Sequence, residues 1–463
     1  MPDIAALLQE IADVPHSADP AVVRAKSRDM YAISPLLRKA LRGREAEAVV
    51  SPRDNHELRA VLRWAVRHRI PLTPRGGGTA NYGQSVPLAG GAMLDMTGYT
   101  GVVAVSDTNV RVRSGTLMGE IDEVLRAHGK ELRIHPSTRS DSTIGGFIGG
   151  GSGGMGSCRW GMLRDSGNIT AIQVMSVEAE PRLEELRGAD TLLVQHAYGT
   201  NGVMTELELP LAPAEAWKEA VVAFPDFMEA ARFGIAFASH PGIARKLASV
   251  QEWPVPRLMK NLGDIVPEGH SMAMVMVAGR HLAEFRALVA MHGGQIVTCV
   301  AEGRGRYGAP LYEFAFGHAL RQIQKHQPRY TVLQGMFPPQ GLEASVARLH
   351  DAMRGVGPLR FEIFYSQGQL VGMGSPYVVF ESEAQLAGLV DQMQALGMNV
   401  ANSHTTGVRA VGIKAIDERD AAFKRAMDPH GLLNPGKLGL EEKESAAVTT
   451  LATKGWATKR PAA

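Results

Sequence analysis

The sequence predicts an α+β chain of two domains with a late return to the first. Three observations carry that expectation. A strand–helix–strand unit delivers a run of three glycines, Gly76 to Gly78. A turn bracketed by Pro210 and Pro213 closes the strands that follow. Beyond it, strands and helices alternate with no second glycine-rich loop, the pattern of an antiparallel sheet covered by helices. The expected boundaries are 1–213 (core about 40–213) for the first domain, 214–415 for the second and 416–440 for the return. The Ala/Thr/Lys-rich stretch 441–463 is expected to be disordered.

Composition bounds the function classes. Of 463 residues, 45% are hydrophobic and 21% charged, ordinary for a globular protein of two or three domains. A formal net charge of +2 argues for neither nucleic acid nor an anionic membrane surface. Cys158 and Cys299 are too few for a disulfide framework and suit a reducing, cytoplasmic setting. Asp3 and Glu10 stand where a signal peptide needs basic and then apolar residues. No apolar run reaches the roughly 18 residues of a membrane span.

In chain order, Ile4 to Val14 reads as a helix, and residues 21–42 as one or two more. Glu47 to Val50 reads as a strand. Asn55 to His68 is an amphipathic helix with Leu58, Val61, Leu62, Ala65 and Val66 on one face, capped by Asp54 or Asn55. Ile70 to Thr73 is a strand that delivers the loop. Ala92 to Met96, Val102 to Val105 and Val110 to Ser114 follow as strands, then a helix from Thr116 to His128 with a left-handed cap at Gly129. Residues 169–178, Thr191 to His196 and Met204 to Leu209 read as strands. In the second domain, strands are expected at Val221 to Phe224, Ser271 to Ala278, Gln295 to Val300, Tyr330 to Phe337, Arg360 to Tyr365 and Leu370 to Met373. Helices are expected at Phe227 to Phe237, Leu282 to His292, Pro310 to His326, Leu342 to Met353 and Glu383 to Leu396.

The loop has the chemistry of a diphosphate cradle. Three glycines let backbone approach a ligand, and successive amides can form an anion-binding concavity. Arg75 adds a cation, Thr79 and Asn81 short hydrogen-bonding groups. No Gly-Lys-Ser/Thr follows, so it is not a Walker loop. A second stretch, Ser142 to Gly161, holds nine glycines. Gly151, Gly153 and Gly156 spell G-x-G-x-x-G, with Glu178 downstream. The Rossmann context fails, because Cys158-Arg159-Trp160-Gly161 carries no helix pattern. Backbone packed against a broad, flat ligand is the better reading.

Four motifs stand in order: Arg75-Gly-Gly-Gly-Thr79; Pro136-Ser137 with Thr143-Ile-Gly-Gly146; Gly199-Thr-Asn-Gly-Val203-Met-Thr-Glu206; and Asn434-Pro-Gly-Lys-Leu438. The set resembles the vanillyl-alcohol oxidase and p-cresol methylhydroxylase (PCMH) type of FAD-binding oxidoreductase, near the glycolate oxidase and D-lactate dehydrogenase branch. The resemblance covers about 40–213 and 420–440. It implies a two-domain flavoprotein with a PCMH-type FAD-binding domain and a substrate domain. It implies that Arg75, Gly76, Gly77, Gly78, Thr79 and Asn81 hold the FAD pyrophosphate, with Ala80 and Gln84 also binding the cofactor. Pro136, Ser137, Thr143, Gly146, Gly150, Ser152, Gly153, Trp160 and Gly161 would line the rest of the cofactor, joined by Val203 and Asn434. Thr79 stands where covalent members carry the linking histidine, so FAD is expected to be non-covalent. The branch's His-x-Gly-Asp-Gly-Asn-x-His and Glu-His-Gly motifs are absent, and Asn402 to Gly407 stands in the corresponding late stretch. No catalytic metal is expected, and a simple 2-hydroxy acid substrate is put in doubt.

The resemblance implies oxidation of an alcohol or hydroxy-acid carbon, with hydride passing to the flavin and oxygen or a carrier as final acceptor. A reductase on the same fold, or a flavin-binding subunit of a multi-subunit dehydrogenase, is the alternative; a homodimer is left open. Three candidate bases follow: His404 at the return, Glu362 on an aromatic strand and His318. Histidine comes first because it titrates near neutrality. Tyr312, Tyr365 and Arg409 are candidate substrate contacts.

Overall fold

The structure is a computed structural model in which residues 3–440 are described. The expected disordered tail, 441–463, lies outside them.

Three parallel strands open the first domain. Ala48–Val50, Ala92–Asp95 and Leu72–Arg75 lie side by side, with His16–Ser17 antiparallel at the edge. The helix Asn55–His68 makes the crossover and buries Leu58, Val61, Leu62, Ala65 and Val66 against them. Its cap is Asp54, whose carboxylate accepts from the His56 and Glu57 amides at 2.8 and 2.9 Å. Arg75 ends its strand, so the glycine loop leaves the carboxyl end of a parallel strand. That is where open α/β sheets bind ligands. An antiparallel sheet follows, ordered Val102–Val105, Asn109–Arg113, Val203–Pro213, Ala171–Met175, Leu183–Arg187, with Lys130–Leu132 beside Val203–Pro213.

The second domain is one nine-stranded sheet whose pairings are all antiparallel. The period of two is clear in Ser271–Ala278. Ala273, Val275 and Val277 face the helices Phe227–Ser239, Leu282–Met291, Leu342–Ala352 and Glu383–Ala395. Met272, Met274 and Met276 face the opposite way, against Leu262, Tyr307 and Leu311. The expectation of helices on one face is therefore extended: the other face is buried as well. Lys246 and Glu131, 2% and 3% exposed, pair at 3.2 Å across the two domains. The chain then returns. Asn434 N–H donates to Leu72 O at 2.7 Å, and Leu72 N–H to Leu432 O at 2.8 Å, which lays the return beside the loop-bearing strand.

Three local expectations are corrected. Thr191 to His196 is not a strand; a short 3-10 helix spans Gly188–Leu193. Gly188 takes φ +54°, and the Thr191 hydroxyl donates back to its carbonyl at 2.7 Å, turning the chain. Pro310 to His326 is not one helix. Two 3-10 turns, Leu311–Phe314 and Phe316–His318, precede the helix Ala319–Gln324. The break is at Phe316, whose φ is +55°. Ser142 to Gly161 does contain helix: Ile144–Gly150, capped by the Thr143 hydroxyl, and the single turn Ser157–Trp160.

Candidate functional site

Two hollows meet between the domains. One runs from Arg75 and Gly76 past Thr143 to Gly199 and Val203. The other runs from Asn81 and Ser137 to the second domain's Phe316, Phe364 and Met373. They share Thr79, Ala80, Gln84, Gly146 and Gly150, so they form one cleft. Their cavity volumes are about 100 and 150 Å³.

The glycine loop is seated by close contact. A Cβ on Gly76 would lie 2.0 Å from Thr143 Oγ1, and one on Gly77 would lie 1.8 Å from Asp141 O. The Arg75 guanidinium folds back, donating to Gly76 O at 2.8 Å, while its buried Nε has no protein partner. Burial pushes the Arg75 pKa down, against the pull of Asp95 and Asp29. Ser85 Oγ, Ser114 Oγ and Asn81 Oδ1 are also buried along this cleft without a protein partner. Buried polar atoms are normally hydrogen-bonded. A cleft with a half-starved cation and orphaned polar groups fits a long polar anion that supplies the missing partners.

The second glycine stretch divides its labour. Gly146 and Gly150 face the cleft. Gly154, also on the wall, and Gly156 answer to the protein itself: a Cβ there would meet His135 O at 2.2 Å and Arg133 O at 1.9 Å. Half of the explanation for this stretch is chain against chain, not chain against ligand.

The residues expected to hold the cofactor fall in two groups. Arg75 to Thr79, Ala80, Gln84, Thr143, Gly146, Gly150 and Val203 line the first hollow. Asn81, Pro136, Ser137, Ser152 and Gly153 line the second. Trp160, Gly161 and Asn434 are on neither wall. Trp160 lies under the Arg133 and Arg159 guanidiniums, 4.5 and 4.9 Å from its ring centroid. Gly161 turns the chain at φ +85° beside Asp165. Asn434 is a tether, donating to Gln84 O at 3.0 Å and Tyr198 O at 2.7 Å.

The candidate bases separate as well. His318 is on the wall, but both ring nitrogens are taken. Its Nε2–H donates to Thr79 O at 3.0 Å, because a carbonyl can only accept. Nδ1 therefore accepts from the Ser137 hydroxyl at 2.7 Å. Glu362 is one layer behind, fully buried. It accepts from Phe316 N–H at 2.7 Å and sits 3.5 Å from Arg360. Burial raises its pKa. His404 is on neither wall; its Nδ1 is 2.8 Å from the hydroxyl of Ser34, the residue that caps the helix Pro35–Ala40. Of the substrate contacts, Tyr312 is buried against His135 with ring centroids 5.1 Å apart. Tyr365 and Arg409 line neither hollow, and Arg409 is exposed.

Sequence reasoning missed His196. It is 1% exposed and lines the second hollow at φ +50°. The one signal was its place three residues before Gly199, and the strand expected there hid it. Phe316, Phe364 and Met373 were missed for a simpler reason: only the fold brings them to the loop. Among the described residues no group of three or more His, Cys, Asp and Glu is placed to hold a metal.

Acid lability follows from these histidines. Burial holds the pKa of His404 down at about 4 and of His196 at about 3. A depressed folded-state pKa means stability present above the unfolded value near 6.5 and lost as pH falls toward the folded one. Each contributes a loss of roughly 3 kcal/mol across that window. Urea midpoints should fall steeply between pH 6.5 and 4. His404→Asn, neutral throughout, should flatten the slope; an unchanged slope would contradict it.

Residues 46–178 match the family model described as an FAD binding domain. Over 436 residues the chain is 21% identical to the glycolate oxidase subunit GlcD of Bacillus subtilis, covering 87% of this chain and 91% of that one. It is 28% identical to a D-lactate dehydrogenase of Archaeoglobus fulgidus over 38% of this chain and 40% of the relative. Among solved structures, alkyldihydroxyacetonephosphate synthase superposes with a TM-score of 0.66 at 16% identity, over 94% of this chain and 86% of that one. Residues 46–178 form an FAD-binding domain, and the chain has the fold of alkyldihydroxyacetonephosphate synthase.

Proposed function

We propose that this FAD-binding chain is an oxidoreductase that oxidises a CH–OH carbon of a small molecule. The observation that carries the reading is the continuity of the cleft. A loop suited to diphosphate and a chamber closed by the second domain share five residues, so one extended ligand reaches from Arg75 to Phe316. FAD bound there supplies a two-electron acceptor. The chain's own work is to bind, orient and exclude water. Arg75 supplies charge at the diphosphate loop. The Ser137–His318–Thr79 chain of hydrogen bonds fixes the second domain against that loop. Phe316, Phe364 and Met373 give the chamber its apolar surface on the second-domain side. Of the three candidate bases His318 is favoured, because it alone is on the wall; Glu362 lies one layer behind it and His404 is held by Ser34.

The printed activities of the relatives, glycolate oxidase and D-lactate dehydrogenase, support a hydroxyl-bearing carbon as the reacting centre. Anaerobic bleaching of the flavin absorbance by alcohols and 2-hydroxy acids tests it. Bleaching by one of them is expected; none by any would reject it. The glycolate oxidase relative is named a subunit, which favours a second reading in which this chain works within an assembly. Both cysteines are free, in keeping with a cytoplasmic protein.

The cofactor should be non-covalent, because Thr79 offers a hydroxyl where a linking imidazole would be needed. That hydroxyl is already 2.9 Å from Ser142 Oγ. Acid precipitation should leave the flavin in the supernatant. Yellow colour retained in the pellet would overturn this.

A further inference from the structure

His196 is the one buried side chain on the chamber wall whose tautomer is set by the protein and whose outer nitrogen is left over. Its Nδ1 lies 2.9 Å from Gly151 O. A carbonyl only accepts, so the proton is on Nδ1 and Nε2 is a bare lone pair. Nε2 is buried, has no protein partner, and belongs to a residue that lines the chamber. The backbone spends conformational energy to hold it there. His196 and Tyr198 take φ of +50° and +54°, and their amides donate to Ile148 O and Gly149 O at 3.0 and 2.9 Å. Left-handed non-glycine residues that persist are held by their surroundings and cluster at functional sites.

The chamber around it has apolar surface from Phe147, Met162, Phe316, Phe364 and Met373 beside uncharged polar groups such as Asn81, Gln84 and Gln334, and no lysine or arginine lines it. Burial, with the Arg164 and Lys414 charges behind it, keeps the ring neutral. A neutral acceptor in a chamber without a cation binds a hydroxyl donor and leaves a carboxylate without a counter-charge.

We propose that His196 Nε2 is a substrate-binding acceptor that anchors the hydroxyl of an uncharged alcohol in the chamber. This rests on the chamber being the substrate site of the proposed oxidoreductase. It goes beyond that reading by choosing the neutral alcohol over the 2-hydroxy acid.

The test uses the FAD-loaded protein labelled with ¹⁵N-histidine. Benzyl alcohol is the probe, with toluene lacking the hydroxyl and benzoate carrying the charge. Saturable binding of benzyl alcohol should shift the His196 Nε2 resonance, and neither control should. His196→Asn keeps a donor for Gly151 O and tolerates the left-handed backbone, but removes the acceptor. It should keep its FAD and bind benzyl alcohol about tenfold more weakly. His196→Gly, which suits φ +50°, should do the same and guards against misfolding. A protonated Nε2, no shift with benzyl alcohol, a tighter fit for benzoate, or loss of FAD in both variants would overturn the proposal. Flavin bleaching is read separately: a Nε2 shift without bleaching rejects the redox reading and leaves the acceptor standing.

Discussion

Gly77→Val is expected to bind FAD about a hundredfold more weakly while the second domain stays folded. The cause is contact between two loops. The Gly77 Cβ would stand 1.8 Å from Asp141 O and 2.9 Å from its carbonyl carbon. Backbone cannot swing aside as a flexible side chain can, so the loop must leave its seat. Overpacking of this kind costs about 1–3 kcal/mol, and the upper end is a hundredfold in an equilibrium. Displacing the loop also displaces Gly76, whose seat is Thr143, the cap of the helix Ile144–Gly150. Both walls of the diphosphate end are lost together. Gly388→Ala is the control. Gly388 is exposed in the helix Glu383–Ala395 with nothing within 4 Å of an added Cβ. It should retain FAD and gain up to about 1 kcal/mol. Flavin content per folded chain, followed through dialysis against FAD-free buffer, reads both. Full occupancy in Gly77→Val would mean the loop is not the cofactor's cradle.

The loop was legible in the sequence because its signal is local. Three glycines after a strand–helix–strand unit mean close backbone approach wherever they occur. Most strands of the second domain were legible for a similar reason: Ser271–Ala278 alternates between two apolar faces and has nowhere to be but a buried sheet, whereas Arg245–Gln251 and Asn399–Ala401 were not expected. What failed was everything set by distant partners. Residues 310–326 have helical composition, yet Arg360 and Glu362 seize the Phe316 backbone from a strand more than forty positions away. His404 looked poised because it precedes the return, and Ser34 holds it from the far end of the chain. His196 was hidden because its meaning lies in a lone pair left over after Gly151 takes its other nitrogen. Tautomers, orphaned atoms and left-handed histidines are facts of tertiary context.

Glu362→Ala is expected to cost about 3–5 kcal/mol, the usual loss when one member of a buried ion pair is removed. Glu362 and Arg360 have fully buried side chains 3.5 Å apart on the strand Leu359–Ser366. Arg360 also donates to Phe316 O and, at 3.2 Å, to Ser375 Oγ. Without the carboxylate, a guanidinium is left in a dry interior with only neutral acceptors. The Phe316 amide, which gives Glu362 its hydrogen bond at 2.7 Å, is orphaned at the same time. Phe316 takes φ +55°, a conformation that the pair helps to hold. Its release loosens Gly317 and His318, two of the residues closing the chamber. The stability loss should therefore come with weaker protection of the flavin from solvent, seen as faster quenching of its fluorescence by iodide. The double variant Arg360→Met/Glu362→Leu removes both charges and keeps apolar volume. It should lose less stability than Glu362→Ala alone, since no buried charge is left over. Urea denaturation of Arg360→Met, Glu362→Leu and the double variant gives the coupling energy directly. Additive losses, or a loss under about 1 kcal/mol in Glu362→Ala, would show that Arg360 and Glu362 do not act as a coupled buried pair.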